Sequence, residues 1–197
     1  RAALTSPARI DASGRGGGGE VLVGGDAMGG RGSAARLAAF NILPARKPVP
    51  PAKQTLVATG AEIRTDATEA GAGGKAVVWA DGRSEFRGFI SAEGAGLGHD
   101  GGFIEVSGKE SLIFDGRVSV AAPGGKGGNI LLDPASVTIG ATGGNIGDST
   151  VSVAVIEAIS SGTVTITATD NITVADLTLH GGDGQIYLPN DVGLTLE

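Results

Sequence analysis

Short runs of alternating apolar and polar residues recur along the chain, each opened by a pair of glycines. They read Gly18-Gly19-Glu20-Val21-Leu22-Val23, Gly73-Gly74-Lys75-Ala76-Val77-Val78-Trp79, Gly101-Gly102-Phe103-Ile104-Glu105-Val106 and Gly127-Gly128-Asn129-Ile130-Leu131-Leu132-Asp133. From Gly73 to Gly101 is 28 residues, and from Gly101 to Gly127 is 26. From Gly18 to Gly73 is 55, which reads as two periods containing an irregular stretch. Alternation with a period of two is the signature of a strand, whose successive side chains point to opposite faces.

Further strand-like segments keep the same step. Ile10–Ala12, Glu62–Thr65, Phe89–Ala92 and Val118–Ala121 precede the glycine pairs, and Ser84–Phe86, Ser111–Phe114 and Ser136–Ile139 follow them. A unit of about 27 residues with three short strands is predicted, the pattern of a β-solenoid whose coils stack in parallel at roughly 4.8 Å. When the glycine-led strands are aligned, Val21, Ala76, Ile104 and Ile130 share one column. Val23, Val78, Val106 and Leu132 share another, and both columns are assigned to the core. The intervening columns, Glu20/Lys75/Phe103/Asn129 and Leu22/Val77/Glu105/Leu131, are mixed and are expected largely outside. The glycines are expected at corners that need positive φ and close backbone approach. A β-propeller blade needs about 40 residues, and a sandwich would not stack like on like at a fixed step.

The pattern divides the chain into a first coil (1–25), a Pro-rich excursion (26–56), regular coils (57–140) and a continuation rich in β-branched residues (141–197). In the excursion, Ser33–Phe40 reads as one or two helical turns, and Pro44, Pro48, Pro50 and Pro51 enforce extended chain. It is read as an excursion from the solenoid wall that covers one flank or is mobile, with a partner-binding strap as a further reading. In the continuation, Thr163–Thr167, Asn171–Val174, Leu177–Leu179, Gln185–Leu188 and Gly193–Leu196 read as strands. Ser152 is read as the cap of a short helix near 152–160 that shields the stack, with Gly162 closing it.

Composition sharpens this picture. Of 197 residues, 36 are glycine and only 4% are aromatic, with one Trp and no Cys. Without cysteine there is neither a disulfide scaffold nor a thiolate site. A narrow coil holds Val, Ile, Leu and Ala more readily than Trp. The net charge of −6 is uneven: all 15 Lys and Arg lie in residues 1–126, and residues 127–197 carry 8 acids and no base. The basic residues of the first 53 positions are dispersed without interleaved aromatics, so no nucleic-acid partner is expected. No apolar run is long enough to span a membrane as a helix. The chain starts at Arg1, without an initiator Met, which reads as an internal fragment or a processed chain.

Candidate chemistry is sparse. Gly14–Gly19 fits G-x-G-x-x-G, but a strand follows where a dinucleotide site needs a helix. Gly25 to Arg31 only approximates a phosphate loop. Gly181–Ile186 resembles half of a calcium-binding nonapeptide and does not recur. His99 and His180 are read as turn residues. Asp81, Arg83, Glu85 and Arg87, with Asp115 and Arg117 one coil above, form the one candidate surface cluster, which a polysaccharide lyase or hydrolase would need on one face. Asp-Gly-Arg recurs at 81–83 and 115–117, which favours turn and ladder roles. No cofactor and no metal site is expected.

The ordered series Gly24-Gly25-Asp26, Gly60–Ile63, Gly74–Gly82, Phe86–Ala92, Gly101–Lys109 and Gly128–Pro134 resembles the body of filamentous-haemagglutinin-like large exoproteins, the passengers of two-partner secretion in Gram-negative bacteria. Val151–Gly162 and Thr163–Val174 are similar to the segment that follows in that family. The resemblance implies a right-handed parallel β-helix exported through an outer-membrane β-barrel transporter. It further implies a secreted or surface rod with an adhesive, biofilm or stalk role and a host surface, matrix or glycan as partner. The family's secretion domain with its Asn-Pro-Asn-Gly-type motifs does not occur in these residues, and the excursion over 33–55 is longer and richer in proline than the family pattern. The alternatives are a polysaccharide-active β-helix enzyme and a self-assembling filament subunit that associates end to end.

Overall fold

A computed structural model describes residues 1–42, 48–140, 149–178 and 183–197. In chain order the elements are β1 (Ala2–Leu4), β2 (Arg9–Asp11), β3 (Glu20–Val23), a 3-10 turn (Ala27–Gly30) and α1 (Ala34–Ala39). Next come β4 (Gln54–Val57), β5 (Glu62–Arg64), β6 (Lys75–Ala80), β7 (Arg83–Phe86), β8 (Phe89–Ser91) and β9 (Phe103–Gly108). They are followed by β10 (Ser111–Phe114), β11 (Arg117–Ser119), β12 (Asn129–Leu132), β13 (Ser136–Gly140) and β14 (Thr150–Ser152). The last are α2 (Val153–Glu157), β15 (Gly162–Ile166), β16 (Asn171–Val174) and β17 (Val192–Leu196).

Three sheets result. One has seven strands in the order β1-β4-β7-β10-β14-β13-β16, one four in the order β11-β8-β5-β2, and one six in the order β17-β15-β12-β9-β6-β3. Every pairing between these strands is parallel. Up to β12 the chain visits the three sheets in a fixed rotation, each strand lying on its counterpart from the previous round. The arrangement is consistent with a β-solenoid.

The register explains the columns. Ala76 faces Ile104, Ile104 faces Ile130, and Val78 faces Val106. Val21, Val23 and Leu132 complete the set, and all eight residues lie in one buried cluster. Ile63 and Ile90 enter it from the four-stranded sheet and Val57, Phe86 and Phe114 from the seven-stranded one. Stacking like on like removes each side chain from water between neighbours above and below, worth about 1.5–3 kcal/mol per large aliphatic or aromatic residue. Phenylalanine fits inside as well: Phe86 and Phe114 stack with centroids 5.3 Å apart and planes at 27°.

The glycine pairs mark the corner before four strands of the six-stranded sheet, β3, β6, β9 and β12. Their requirement is space rather than left-handed backbone, which corrects the expectation of positive φ there. A Cβ on Gly101 would lie 1.9 Å from the Val120 carbonyl oxygen and 2.5 Å from the Gly128 nitrogen. Those two atoms form the corner hydrogen bond of the next round, Gly128 N donating to Val120 O at 2.9 Å. Gly73 stands against Ala92 O and Gly102 N in the same way, and Gly18 against Thr65 O and Gly74 N. The first glycine of a pair therefore lets one corner seat on another.

Several expectations need correction. β3 pairs directly with β6, Val21 facing Ala76. The 55-residue interval is thus a single round carrying an excursion, not two periods. β1 and β4 are additional strands, and β4 starts at Gln54, inside the segment read as excursion. Both segments read as helical do form short helices among the described residues, α1 within Ser33–Phe40 and α2 within 152–160. Residues 185–188 form no strand: Gln185, Tyr187 and Leu188 are exposed, so the alternation has no neighbouring rung to bury one face. Leu177 and Thr178 lie in a turn, whereas Leu179, His180, Gly181, Gly182 and Pro44 are outside the described residues.

The regular rotation breaks after β12. β14 inserts between β10 and β13, with Thr150 facing both Ile113 and Thr138. The chain thus places β13 one rung too far and returns to fill the gap with β14. α2 then occupies the chain position of the next strand of the four-stranded sheet and buries Val153 and Ile156 in the core, joined by Ile159. Ser152 has the extended backbone of an N-cap, but its side chain makes no capping hydrogen bond. The helix is held by these apolar contacts rather than by its cap.

Candidate functional site

The candidate cluster of Asp81, Arg83, Glu85, Arg87, Asp115 and Arg117 separates into three groups. Glu85 on β7 accepts from Arg83 at 3.0 Å and from Arg87 at 2.9 Å, and Arg87 also reaches Asp115 at 2.6 Å. Asp81 instead receives Arg31 at 3.0 Å and the Trp79 indole at 3.4 Å. Arg117 lies over the Phe89 ring at 5.7 Å, with Arg64 over the same ring at 5.1 Å. The Arg87 hydrogen bond is the largest cause holding the Glu85 carboxyl below its ordinary range. A general acid for glycoside cleavage needs the opposite shift. Arg83, Glu85 and Arg87 pair along one rung, and the Arg87–Asp115 pair joins it to the next.

The other motifs resolve as local structure. Gly14–Gly19 runs straight into the strand β3, not into a helix. Residues 27–30 of the loop Gly25–Arg31 form the 3-10 turn. Asp183 accepts the amide of Gln185 at 3.1 Å, a local turn bond. His99 lies in the segment between β8 and β9. Among the described residues, no group of three His or acidic side chains is placed to hold a metal ion, and no helix is long and apolar enough to cross a membrane.

The sequence did not reveal where the excursion goes. Residues 26–42 fold back as a strap over the outer face of the six-stranded sheet. The Ser33 hydroxyl accepts the Arg36 amide at 3.2 Å and starts α1. Ala27, Met28 and Ile42, with Leu37 and Phe40, then form a second apolar cluster with Leu22, Val77, Trp79, Phe103 and Leu131. The column Leu22/Val77/Glu105/Leu131 points away from the main core, as expected, yet Val77, Glu105 and Leu131 are fully buried because the strap covers them. Trp79 is 4% exposed, and Cβ atoms on Gly25 and Gly29 would lie 2.6 and 2.5 Å from its ring. Phe40 meets Phe103 at 5.3 Å. At the strap's base, the Asp26 carboxylate accepts the Val49 amide at 2.7 Å.

Glu105 sits beneath the strap at 0% exposure. Its Oε2 accepts the Met28 amide at 2.9 Å, and no hydrogen bond of ordinary geometry reaches Oε1. Burial pushes its carboxyl up to about 8, against the pull of the Met28 amide and the Ser107 hydroxyl, and the Asp133 carboxylate adds to the rise. Burial also raises Asp133, with Arg36 opposing. Beside the strap, a cleft of about 970 Å³ opens between Phe40, Asn41 and Ile42 on one side and Lys75, His99 and Asp100 on the other.

No protein-family model matches the chain, and no curated protein matches it.

Proposed function

We propose that this chain is a rod segment of a secreted bacterial surface exoprotein of the filamentous-haemagglutinin-like type, with a structural or adhesive role. In this reading the three parallel sheets form a right-handed parallel β-helix exported through an outer-membrane β-barrel transporter. The observation that carries the reading is the stack itself, three parallel sheets around one apolar core, with successive rungs in register up to β12. Backbone hydrogen bonds between rungs run along the stacking direction, so a pull along that direction is shared by many parallel bonds. Outside, the Arg83–Glu85–Arg87–Asp115 ladder occupies the charged groups that an enzyme would need free. The rod would hold a binding surface at a distance from the cell, against a host surface, matrix or glycan.

The test uses an epitope inserted beside Leu97, which is 92% exposed on the loop between β8 and β9. Antibody labelling of intact cells of the producing bacterium, lost when the paired transporter is deleted, is the expected result. An epitope found only after lysis, with or without the transporter, refutes the reading.

A further inference from the structure

We propose that Glu105 is a proton-operated latch: as a carboxylic acid it lets the strap of residues 26–42 lie on the six-stranded sheet, and as a carboxylate it drives the strap off. The proposal concerns the strap alone and stands apart from the rod reading.

The geometry is that of a sealed acid. Glu105 projects from β9 between Val77 on β6 and Leu131 on β12, its cross-strand neighbours. Neither neighbour carries charge. Above it the 3-10 turn supplies Ala27 and Met28, whose amide donates to one oxygen, and the Ser107 hydroxyl on β9 also favours the charged form. The other oxygen is buried without a partner. The charged groups acting on it are Asp133, just beyond β12, and Arg36 on α1. Arg36 is already committed, donating to the Thr167 hydroxyl at 2.7 Å. Asp26, the acid on the strap itself, is engaged at the base with Val49. A carboxylate in this position would be fully buried among apolar neighbours, with one oxygen left without a hydrogen-bond partner and a second carboxylate nearby, an arrangement in which ionisation is strongly disfavoured.

With the strap lifted, Glu105 lies on an open sheet face and ionises as an ordinary glutamate. The closed form then holds a proton that the open form releases, over a window from about 4.5 to about 8. Closure is fully supported below that window. Across it the closed-to-open ratio falls roughly tenfold per pH unit, a total of about a thousandfold or more, and above it the loss levels off.

The experiment measures trypsin cleavage at Arg31 and Arg36, located by mass spectrometry and normalised at each pH to cleavage of an unstructured peptide. For the wild-type chain the normalised rate should rise about tenfold per unit between pH 6 and pH 8 and then level off. Glu105→Gln, which cannot ionise, should stay flat over the same range. Asp133→Asn keeps the latch but removes its repelling neighbour, so its rise should level off at lower pH. This second variant decides the matter if Glu105→Gln loses its β circular dichroism. A flat wild-type profile, a Glu105→Gln profile that rises in parallel, or an unmoved plateau in Asp133→Asn overturns the latch.

Discussion

The corner glycines give a sharp test of how the rungs seat on one another. In Gly101→Ala, the new methyl would stand 1.9 Å from Val120 O and 2.5 Å from Gly128 N. An ordinary contact needs about 3.4 Å or more, so the corner of the next round must retreat by more than about 1 Å, as overpacked cores do. That movement breaks the 2.9 Å bond from Gly128 N to Val120 O. Losing the bond and stranding its partners costs about 2–3 kcal/mol, and the residual strain costs about 1–2 kcal/mol more. For a chain of this length a loss of about 4 kcal/mol lowers the melting temperature by roughly 10 °C. Gly16→Ala is the control, because nothing lies within 4 Å of its Cβ position and its backbone is not left-handed. It should leave stability unchanged or raise it by up to about 1 kcal/mol through the unfolded state. Thermal unfolding followed by circular dichroism near 218 nm distinguishes the two. Equal melting of Gly101→Ala and wild type, or an equal loss in Gly16→Ala, would refute the argument that these glycines are present for space.

Other perturbations probe other parts of the structure. Val106→Asp and Val78→Asp place a charge among fully buried aliphatics, and the cost of several kcal/mol should abolish the cooperative melt; wild-type melting of either would show that the columns do not face inward. Arg87→Ala removes the contacts to Glu85 and Asp115, but these pairs are part-exposed, so the loss should stay within about 1 kcal/mol, and a larger drop in denaturant midpoint would contradict that. Gly29→Val puts a side chain against the Trp79 indole at a φ of +62°, so the emission of this single tryptophan should move to the red as the strap lifts, with the β signal retained; unshifted emission would contradict the strap's position.

The legible part of the fold was the part in which neighbours repeat. The Gly-Gly pairs and the columns led by Val21 and Val23 carry the same residue types at a fixed step, because each rung packs on a copy of itself. β1 and β4 escaped notice because no glycine pair introduces them and their three or four residues alternate too briefly. The insertion of β14 between β10 and β13 was not legible, since pairing order is a property of the whole stack and not of Thr150–Ser152. The strap was half legible. Met28, Leu37, Phe40 and Ile42 formed an apolar set without a partner, and the column of Leu22, Val77 and Leu131 was too apolar for an outer face. Matching those two surpluses would have located the strap. Glu105 was hidden by the same omission, for a lone acid in a mixed column reads as solvated until something is known to cover it.

The stacking register is the central claim, and a chain without cysteine allows it to be tested by cross-linking. Gln54 faces Arg83, and Arg83 faces Ser111, along the seven-stranded sheet. Adjacent rungs place Cα atoms about 4.8 Å apart and next-but-one rungs about 9.6 Å apart. A disulfide requires roughly 4.4–6.8 Å. The double variant Gln54→Cys with Arg83→Cys should therefore oxidise to an intramolecular disulfide, and Gln54→Cys with Ser111→Cys should remain reduced. Cross-linking of the 54/111 pair in preference to the 54/83 pair would contradict the parallel stack.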